Sequence, residues 1–313
     1  MSNDYAYLNP ENGLTYTYGG DGTVNCTVSV CPIELSVYGY RPSLPFSSAL
    51  IALYGLCMVV QLYLGIRYKK WGFMTAMLLG CICEIIGYIG RILYWSNPWG
   101  DSGFIIQIVL ITFSPVFFAA AIYVLIYQIA CYVDRSASRV NPKFFYWLFI
   151  PADVISLILQ AAGGALSSTS NGSSDAGVNI ALAGLSFQLI TLTFFAICVC
   201  DYMYRSRATW RSVKVPGRFI NFCVWLALAT VFILVRCAYR VYELSEGYSR
   251  DSEALRDEPL FIALEGVMII LAAWCLVPAH PGFVFSEGAT LTKDTTFVED
   301  KGAQASDSRE SMA

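Results

Sequence analysis

The chain has 313 residues, of which 56% are hydrophobic, 15% aromatic and only 14% charged, with a net charge of -3. Soluble domains carry about 25% charged residues, so this composition excludes an ordinary water-soluble domain and is that of a membrane protein. Basic residues fall in short loops and aromatics crowd the apolar runs, so there is no signature of nucleic-acid binding.

The opening stretch MSNDYAYLNPENG has neither a basic start nor an apolar core. No signal peptide is expected, and the first membrane helix must insert the chain itself. Residues 1–43 form an N-terminal segment carrying the sequon Asn25-Cys26-Thr27, a glycosylation site if that segment is extracellular. Cys26 and Cys31 are the cysteines outside the predicted helices and their ends, so a lumenal disulfide is expected, with two free thiols as the alternative. The other cysteines read as small apolar packing residues.

Seven apolar segments then follow, near Leu44–Ile66, Gly72–Trp95, Phe104–Val133, Phe144–Leu166, Val178–Tyr204, Phe219–Val241 and Leu260–Val277. Each is long enough for a bilayer core, which needs about 20 residues. The fold expected is an all-α membrane protein, a seven-transmembrane-helix bundle over residues 44–282. Residues 283–313 are rich in Ser, Thr, Asp and Glu and lack periodicity, which predicts a disordered cytosolic tail.

Basic residues set the orientation. The first loop carries Arg67, Lys69 and Lys70, the third Arg135, Arg139 and Lys143, and the fifth Arg205, Arg207, Arg211, Lys214 and Arg218. Loops two and four have none, and the sixth has Arg250 and Arg256 among six acids. The alternation predicts an outside N-terminus and a cytosolic C-terminus. A second sequon, Asn171-Gly172-Ser173, lies in a short outer loop that holds it near the membrane.

Charges inside the helices carry the functional signal. The second helix reads CICEIIGYIGRILYW, with Glu84 and Arg91 seven residues apart on one face, about 10.5 Å along the axis. That is too far for a direct salt bridge. Each charge costs about 2.5–3.5 kcal/mol at the helix centre on insertion scales, so both must face the interior and find partners elsewhere. Helix four offers Asp153, Ser156, Gln160 and Gly164, spaced along one face. Helices three and five add Gln107, Ser114, Gln188 and Thr191; helix six ends with Arg236, Tyr239, Arg240 and Glu243; helix seven carries Glu265. By this topology Glu84 and Asp153 lie deep, while Arg91, Arg236, Arg240 and Glu265 lie toward the outer face. A single polar interior is expected, with guanidiniums around its mouth. Pro115 and Pro151 free the carbonyls of Ile111 and Trp147 and allow kinks. A network that only locks the bundle is the competing reading.

From about Tyr38 to Gly282 the sequence resembles the fungal RTA-like lipid-translocating exporter family of seven-helix membrane proteins. The matching pieces are YGYRPS, CEIIGYIGR, SPVFFAAAIYVLIYQI, PADVISLILQAAGG, GLSFQL, VRCAYRVYE and HPG, in that order. The resemblance implies resistance to toxic lipids or drugs and a plasma-membrane or other endomembrane location. It also implies amphiphilic substrates, with sphingoid long-chain bases foremost, and membrane lipids as the partners. Near helix seven that family tends to have a His-Glu pair followed by an intramembrane Asp; here the pair is Asp257-Glu258 and the acid is Glu265. The substrate-binding residues proposed are therefore Glu84, Arg91, Asp153, Gln160, Gln188, Arg236, Arg240 and Glu265.

Other classes fit less well. His280 is the one histidine, and a seven-helix hydrolase of the ceramidase type needs a zinc site built from several. There is no nucleophile elbow and no P-loop, so neither a catalytic site nor a Walker-type ATP site is expected, and no metal or cofactor. A seven-helix lipid-sensing receptor is the rival, but Asp134-Arg135 is followed by Ser136 where rhodopsin-like receptors have Tyr. Porphyrin or haem transport would leave axial ligation to Tyr, Met or Cys.

The orientation is testable. Expression in a eukaryotic host should give a glycan-dependent mobility shift that Asn25→Gln removes, and a tag at residue 10 should be accessible to antibody on intact cells. A tag shielded until the cells are permeabilised would reverse the topology.

Overall fold

A helix in lipid turns apolar side chains outward and keeps small and polar ones for its neighbours. In the computed structural model α1 (Leu44–Tyr68) does both. Its buried stripe is Ser47, Leu50, Tyr54, Cys57, Gln61 and Gly65, while Leu56, Val59, Tyr63 and Ile66 are exposed. Pro45 sits in the first turn, where its missing N–H is no loss. The helix stops at Lys69, whose φ of 55° is left-handed, and Lys70 donates its N–H back to the Gly65 carbonyl at 3.1 Å.

The structure describes residues 38–133, 142–169, 175–212, 217–245 and 257–284, together with 5–8, 13, 15–19, 22–23, 28 and 30–36 of the N-terminal segment. Six further helices follow α1: α2 (Trp71–Ser96), α3 (Asp101–Val133), α4 (Pro142–Thr169), α5 (Asp175–Ser212), α6 (Gly217–Ser245) and α7 (Glu258–Cys275). All seven are long and apolar enough to span a bilayer. The chain is a multi-pass, all-α membrane protein, a seven-helix bundle.

Several helices run past their apolar cores. The largest extension is α5, expected over Val178–Tyr204, which continues through Arg205, Arg207 and Arg211 to Ser212. Hydropathy marks the lipid-embedded length of a helix, and backbone hydrogen bonding goes on beyond it. α7 holds a π turn, Ile262–Val267, that hydropathy does not reveal. The N-terminal segment adds three short antiparallel strands, β1 (Tyr5–Leu8), β2 (Thr15–Gly19) and β3 (Gly22–Thr23). They pair in sequence order, with Tyr5 opposite Tyr18 and Tyr18 opposite Thr23. The signal for them was present: Tyr recurs with period two in YAYL and TYTYG, and the sequence between the two runs carries Asn, Pro and Gly.

Close backbone approach joins the helices in pairs. α2 meets α3 at Gly90 and Gly103, where an added Cβ at Gly103 would lie 2.8 Å from the Tyr94 backbone nitrogen. α4 meets α5 at Gly163, where a Cβ would fall 2.6 Å from the Gly177 carbonyl oxygen and 2.8 Å from the Ala181 Cα. Small residues are what allow such proximity in a membrane, since lipid tails leave packing as the main driving force.

The chain after α7 folds back on the α1–α2 turn. Gln61 donates to the Leu276 carbonyl at 3.3 Å. His280 is buried against the rings of Tyr68, Phe73 and Phe283, and its Nδ1 accepts the Gly282 N–H at 3.0 Å. Burial, with the Lys70 charge nearby, pushes its pKa down to about 4, so at neutral pH it is an uncharged packing group.

Cys31 is disulfide-bonded. Its expected partner Cys26, the sequons at Asn25 and Asn171, the Asp134-Arg135-Ser136 stretch and the tail from residue 285 lie outside the described residues.

Gly163 and Gly164 give a paired test of the α4–α5 contact, since a Cβ at Gly164 meets nothing within 4 Å. Gly163→Ala should destabilise the protein by about 1–3 kcal/mol, seen as a lower melting temperature in detergent. Gly164→Ala should leave it unchanged or slightly raised.

Candidate functional site

Pro115 has no N–H, so the Ile111 carbonyl one turn earlier in α3 has no helical partner. Arg236 of α6 takes it: its Nη2 donates to Ile111 O at 2.9 Å and to Glu265 Oε1 at 2.6 Å. Glu265 belongs to the π turn of α7, and both side chains are essentially solvent-free. Four residues on, Arg240 donates to Glu243 Oε2 at 2.6 Å and to Thr112 Oγ1 at 3.0 Å. The two guanidiniums thus fasten α6 to successive residues of α3, Ile111 and Thr112.

Arg91 of α2 lies at the end of the bundle nearest residues 38–41. It donates to the Tyr40 hydroxyl at 3.2 Å, lies 3.9 Å from Glu258 Oε1 and stacks over the Phe261 ring at 4.0 Å. Glu258 also accepts the Ser43 N–H at 2.6 Å, capping the start of α1, while Asp257 caps α7 by accepting the Leu260 N–H at 3.3 Å. The acidic pair that replaces His-Glu therefore joins helix starts.

Residues 38–41 lie across this end. Tyr38 accepts from Gln107 at 2.7 Å, and its ring meets those of Tyr94 and Phe104. Arg41 donates to the Trp95 carbonyl at 2.9 Å and stacks on the Trp95 ring at 4.2 Å. Burial raises the pKa of Tyr38 and Tyr40 against the opposing pull of Arg91, so both phenols stay protonated. Beneath them is a cavity of about 10 Å³, room for about one water, lined by Tyr38, Gln107, Thr112, Arg240, Phe261 and Glu265.

Glu84 stands at the middle of α2 and is 1% exposed. Its Oε1 has no hydrogen-bond partner, and neither does Glu265 Oε2 or the Tyr54 hydroxyl. Asp153 has different neighbours. Its Oδ2 accepts from Tyr123 of α3 at 2.8 Å, next to the Phe149 and Phe195 rings. Gln160 donates to Gln188 at 2.9 Å, joining α4 to α5.

All eight proposed site residues are buried, but they do not share one chamber. Arg236, Arg240, Glu265, Glu84 and Arg91 gather among α2, α3, α6 and α7; Asp153 and the Gln160–Gln188 pair face α3, α4 and α5. The single polar interior expected from the sequence is corrected to separate groups. The polar side chains bond near neighbours instead of a shared centre: Asp153 to Tyr123 of α3 and Gln160 to Gln188 of α5, but Arg236 and Arg240 to Glu265, Glu243 and α3. The guanidiniums of Arg236, Arg240 and Arg91 lie against the carboxylates of Glu265, Glu243 and Glu258 respectively. Sequence reasoning missed Tyr38, Tyr40, Tyr123 and Glu258 as partners; YGYR just ahead of the first helix was the available signal. Among the described residues, no group of three or more His, Cys, Asp or Glu side chains is arranged to hold a metal ion.

Fold and site together define a multi-pass membrane protein with seven spanning helices and a buried, internally paired set of charges. Residues 77–288 match the family described as RTA1 like protein, and the chain belongs to that family. It is 27% identical over 299 residues to the sphingoid long-chain base transporter RSB1 of Saccharomyces cerevisiae, covering 82% of this chain and 76% of that protein. It is 33% identical over 226 residues to Protein RTM1 of the same yeast, covering 69% and 71%. Protoporphyrin uptake protein 1, also from that yeast, is 34% identical over 177 residues, covering 54% and 56%. No solved structure matches the chain. The matched region contains all eight proposed site residues.

The Arg236–Glu265 pair predicts a double-mutant pattern. Arg236→Met alone should cost about 3–5 kcal/mol by stranding a buried carboxylate, whereas Arg236→Met with Glu265→Leu should recover most of that loss. Thermal unfolding of the single and double variants in detergent measures both.

Proposed function

We propose that this protein moves amphiphilic molecules across the membrane, with sphingoid long-chain bases as the foremost substrates. The observation that carries the reading is Glu84, a mid-span carboxylate out of water with an unpartnered oxygen. An intramembrane acid is expensive to keep and marks a substrate or ion route by default. A sphingoid base has an apolar tail, hydroxyls and one ammonium. Its tail can stay in lipid while the head group needs a polar route, and a deep carboxylate suits that head. Asp153, whose Oδ1 is also unpartnered, offers a second acceptor beside aromatic rings, which favour cations.

The names of two relatives, a sphingoid-base transporter and a protoporphyrin uptake protein, support amphiphiles as the substrate class. They are transporters by name, and nothing in this chain's chemistry motivates a catalytic reading. The N-terminus is taken to lie outside and the C-terminus in the cytosol, in a plasma membrane or another endomembrane. The guanidiniums of Arg91, Arg236 and Arg240 ring the outer side of the route, where their pairing closes it. Resistance to toxic lipids or drugs would follow from outward movement.

Glu84→Gln or Asp153→Asn should abolish the tolerance of expressing cells to added sphingoid base, with surface delivery near normal by cell-surface labelling. Purified protein in liposomes should move labelled base between leaflets without ATP. Correctly delivered amide variants that protect fully would make the charges structural only, and binding without movement would favour a lipid sensor.

A further inference from the structure

Among the described residues, two carboxylates, Glu265 and Glu84, lie near the Arg236 guanidinium. Arg236 is committed to Glu265 and to the Ile111 carbonyl. Glu84 is left over. The titratable and polar groups near it are Tyr54 from α1, Cys81, Cys83 and Tyr88 on its own helix, Ser114 from α3, Arg236 from α6 and Glu265 from α7. The Tyr88 hydroxyl sits against Gly266, one residue from Glu265. The only cation in this set is already taken, so one positive charge is missing around Glu84.

Glu84 Oε1 is out of water with no hydrogen-bond partner, and the Ser114 hydroxyl beside it is shared with the Gly80 carbonyl, 3.2 Å away. An ionised carboxylate left without a counter-charge in a low-dielectric interior is far costlier than the neutral acid. The surroundings therefore suit Glu84–COOH in the empty protein, and Glu84–COO⁻ when a guest cation stands beside it.

We infer that Glu84 is a proton-exchange site, which binds a proton in the empty protein and gives it up when the ammonium of a cationic amphiphile takes its place. The inference rests on the translocation reading above and adds its driving force. In the exchange the O–H bond of Glu84 breaks, the proton leaves to water on the side of entry, and an ion pair forms with the ammonium. No covalent bond to the amphiphile is made. On the other side a proton re-forms the O–H bond and releases the cation. One proton moves opposite to each cation, so the cycle carries no net charge.

The test uses the full chain in liposomes with an entrapped pH dye. The probe is a long-chain base quaternised to a trimethylammonium, which has no removable proton and cannot cross as a neutral amine. A pH gradient should drive the probe toward the acidic side, against proton flow, with about one proton counted per cation as the linkage requires. Glu84→Gln should reduce gradient-driven movement to the protein-free level, and Glu84→Asp should restore part of it. Infrared difference spectra should show a protonated-carboxyl C=O band that Glu84→Gln removes and that added probe bleaches. Probe movement at one rate with and without the gradient, with a silent dye, would overturn the exchange and leave translocation standing. Movement of the primary-amine base but not of the quaternised one would place the proton on the amine and overturn it too. If neither base moves, the translocation reading fails, and an absent carboxyl band then refutes proton binding at Glu84 independently.

Discussion

A guanidinium and a carboxylate 2.6 Å apart, both out of water, tie α6 to α7, and the same guanidinium holds an α3 carbonyl. Pro115 leaves Ile111 without a helical donor, and Arg236 supplies one. Each group would be costly alone in a low-dielectric interior, and together they offset that cost only through short, well-directed bonds. The spacing of α3, α6 and α7 is therefore set by a contact that tolerates little displacement. Arg240 with Glu243 and Thr112 repeats the arrangement one turn further out. The packing around this line follows from it: small residues let α2 approach α3, and apolar side chains cover the outside.

The end of the bundle around Arg91 is finished by residues that precede α1. Tyr38 and Tyr40 bring hydroxyls to Gln107 and Arg91, and Arg41 covers Trp95. These contacts give Arg91 what the helices alone do not provide, a polar neighbour on the side facing the N-terminal segment. Aromatic faces against guanidiniums suit this depth, because they exclude water while still favouring the charge. Glu258 joins the segment to α1, α2 and α7 at once.

Seven spans were legible because each apolar run is about as long as a bilayer core requires, and turn-forming polar stretches separate them. The burial of Glu84, Arg91, Asp153, Arg236 and Glu265 was legible for a related reason: lipid forbids the alternative. Their partners were not. Hydropathy says that a charge turns inward, but which neighbour it meets depends on helix rotation, and rotation is decided by contacts such as Gly163 on Ala181 that only three dimensions display. Asp153 and Glu84 look equivalent along the sequence, yet Asp153 accepts from a tyrosine of α3 among aromatic rings, while Glu84 lies near Ser114, Arg236 and Glu265. The strands at Tyr5–Leu8 and Thr15–Gly19 were overlooked beside the much stronger helical signal, although their alternation was plain.

The π turn in α7 has a geometric consequence of its own. A π turn is an α-helix that has absorbed one surplus residue, and one residue corresponds to about 100° of rotation about the axis. The part of α7 before Ile262 and the part after Val267 are therefore out of phase with each other. Glu265 lies at the phase shift and faces Arg236, while Ile269, Ala272 and Ala273 keep an apolar face buried in the bundle core. Packing alone would be served by a helix one residue shorter. The additional residue changes the aim of one carboxylate and leaves the apolar register beyond it intact.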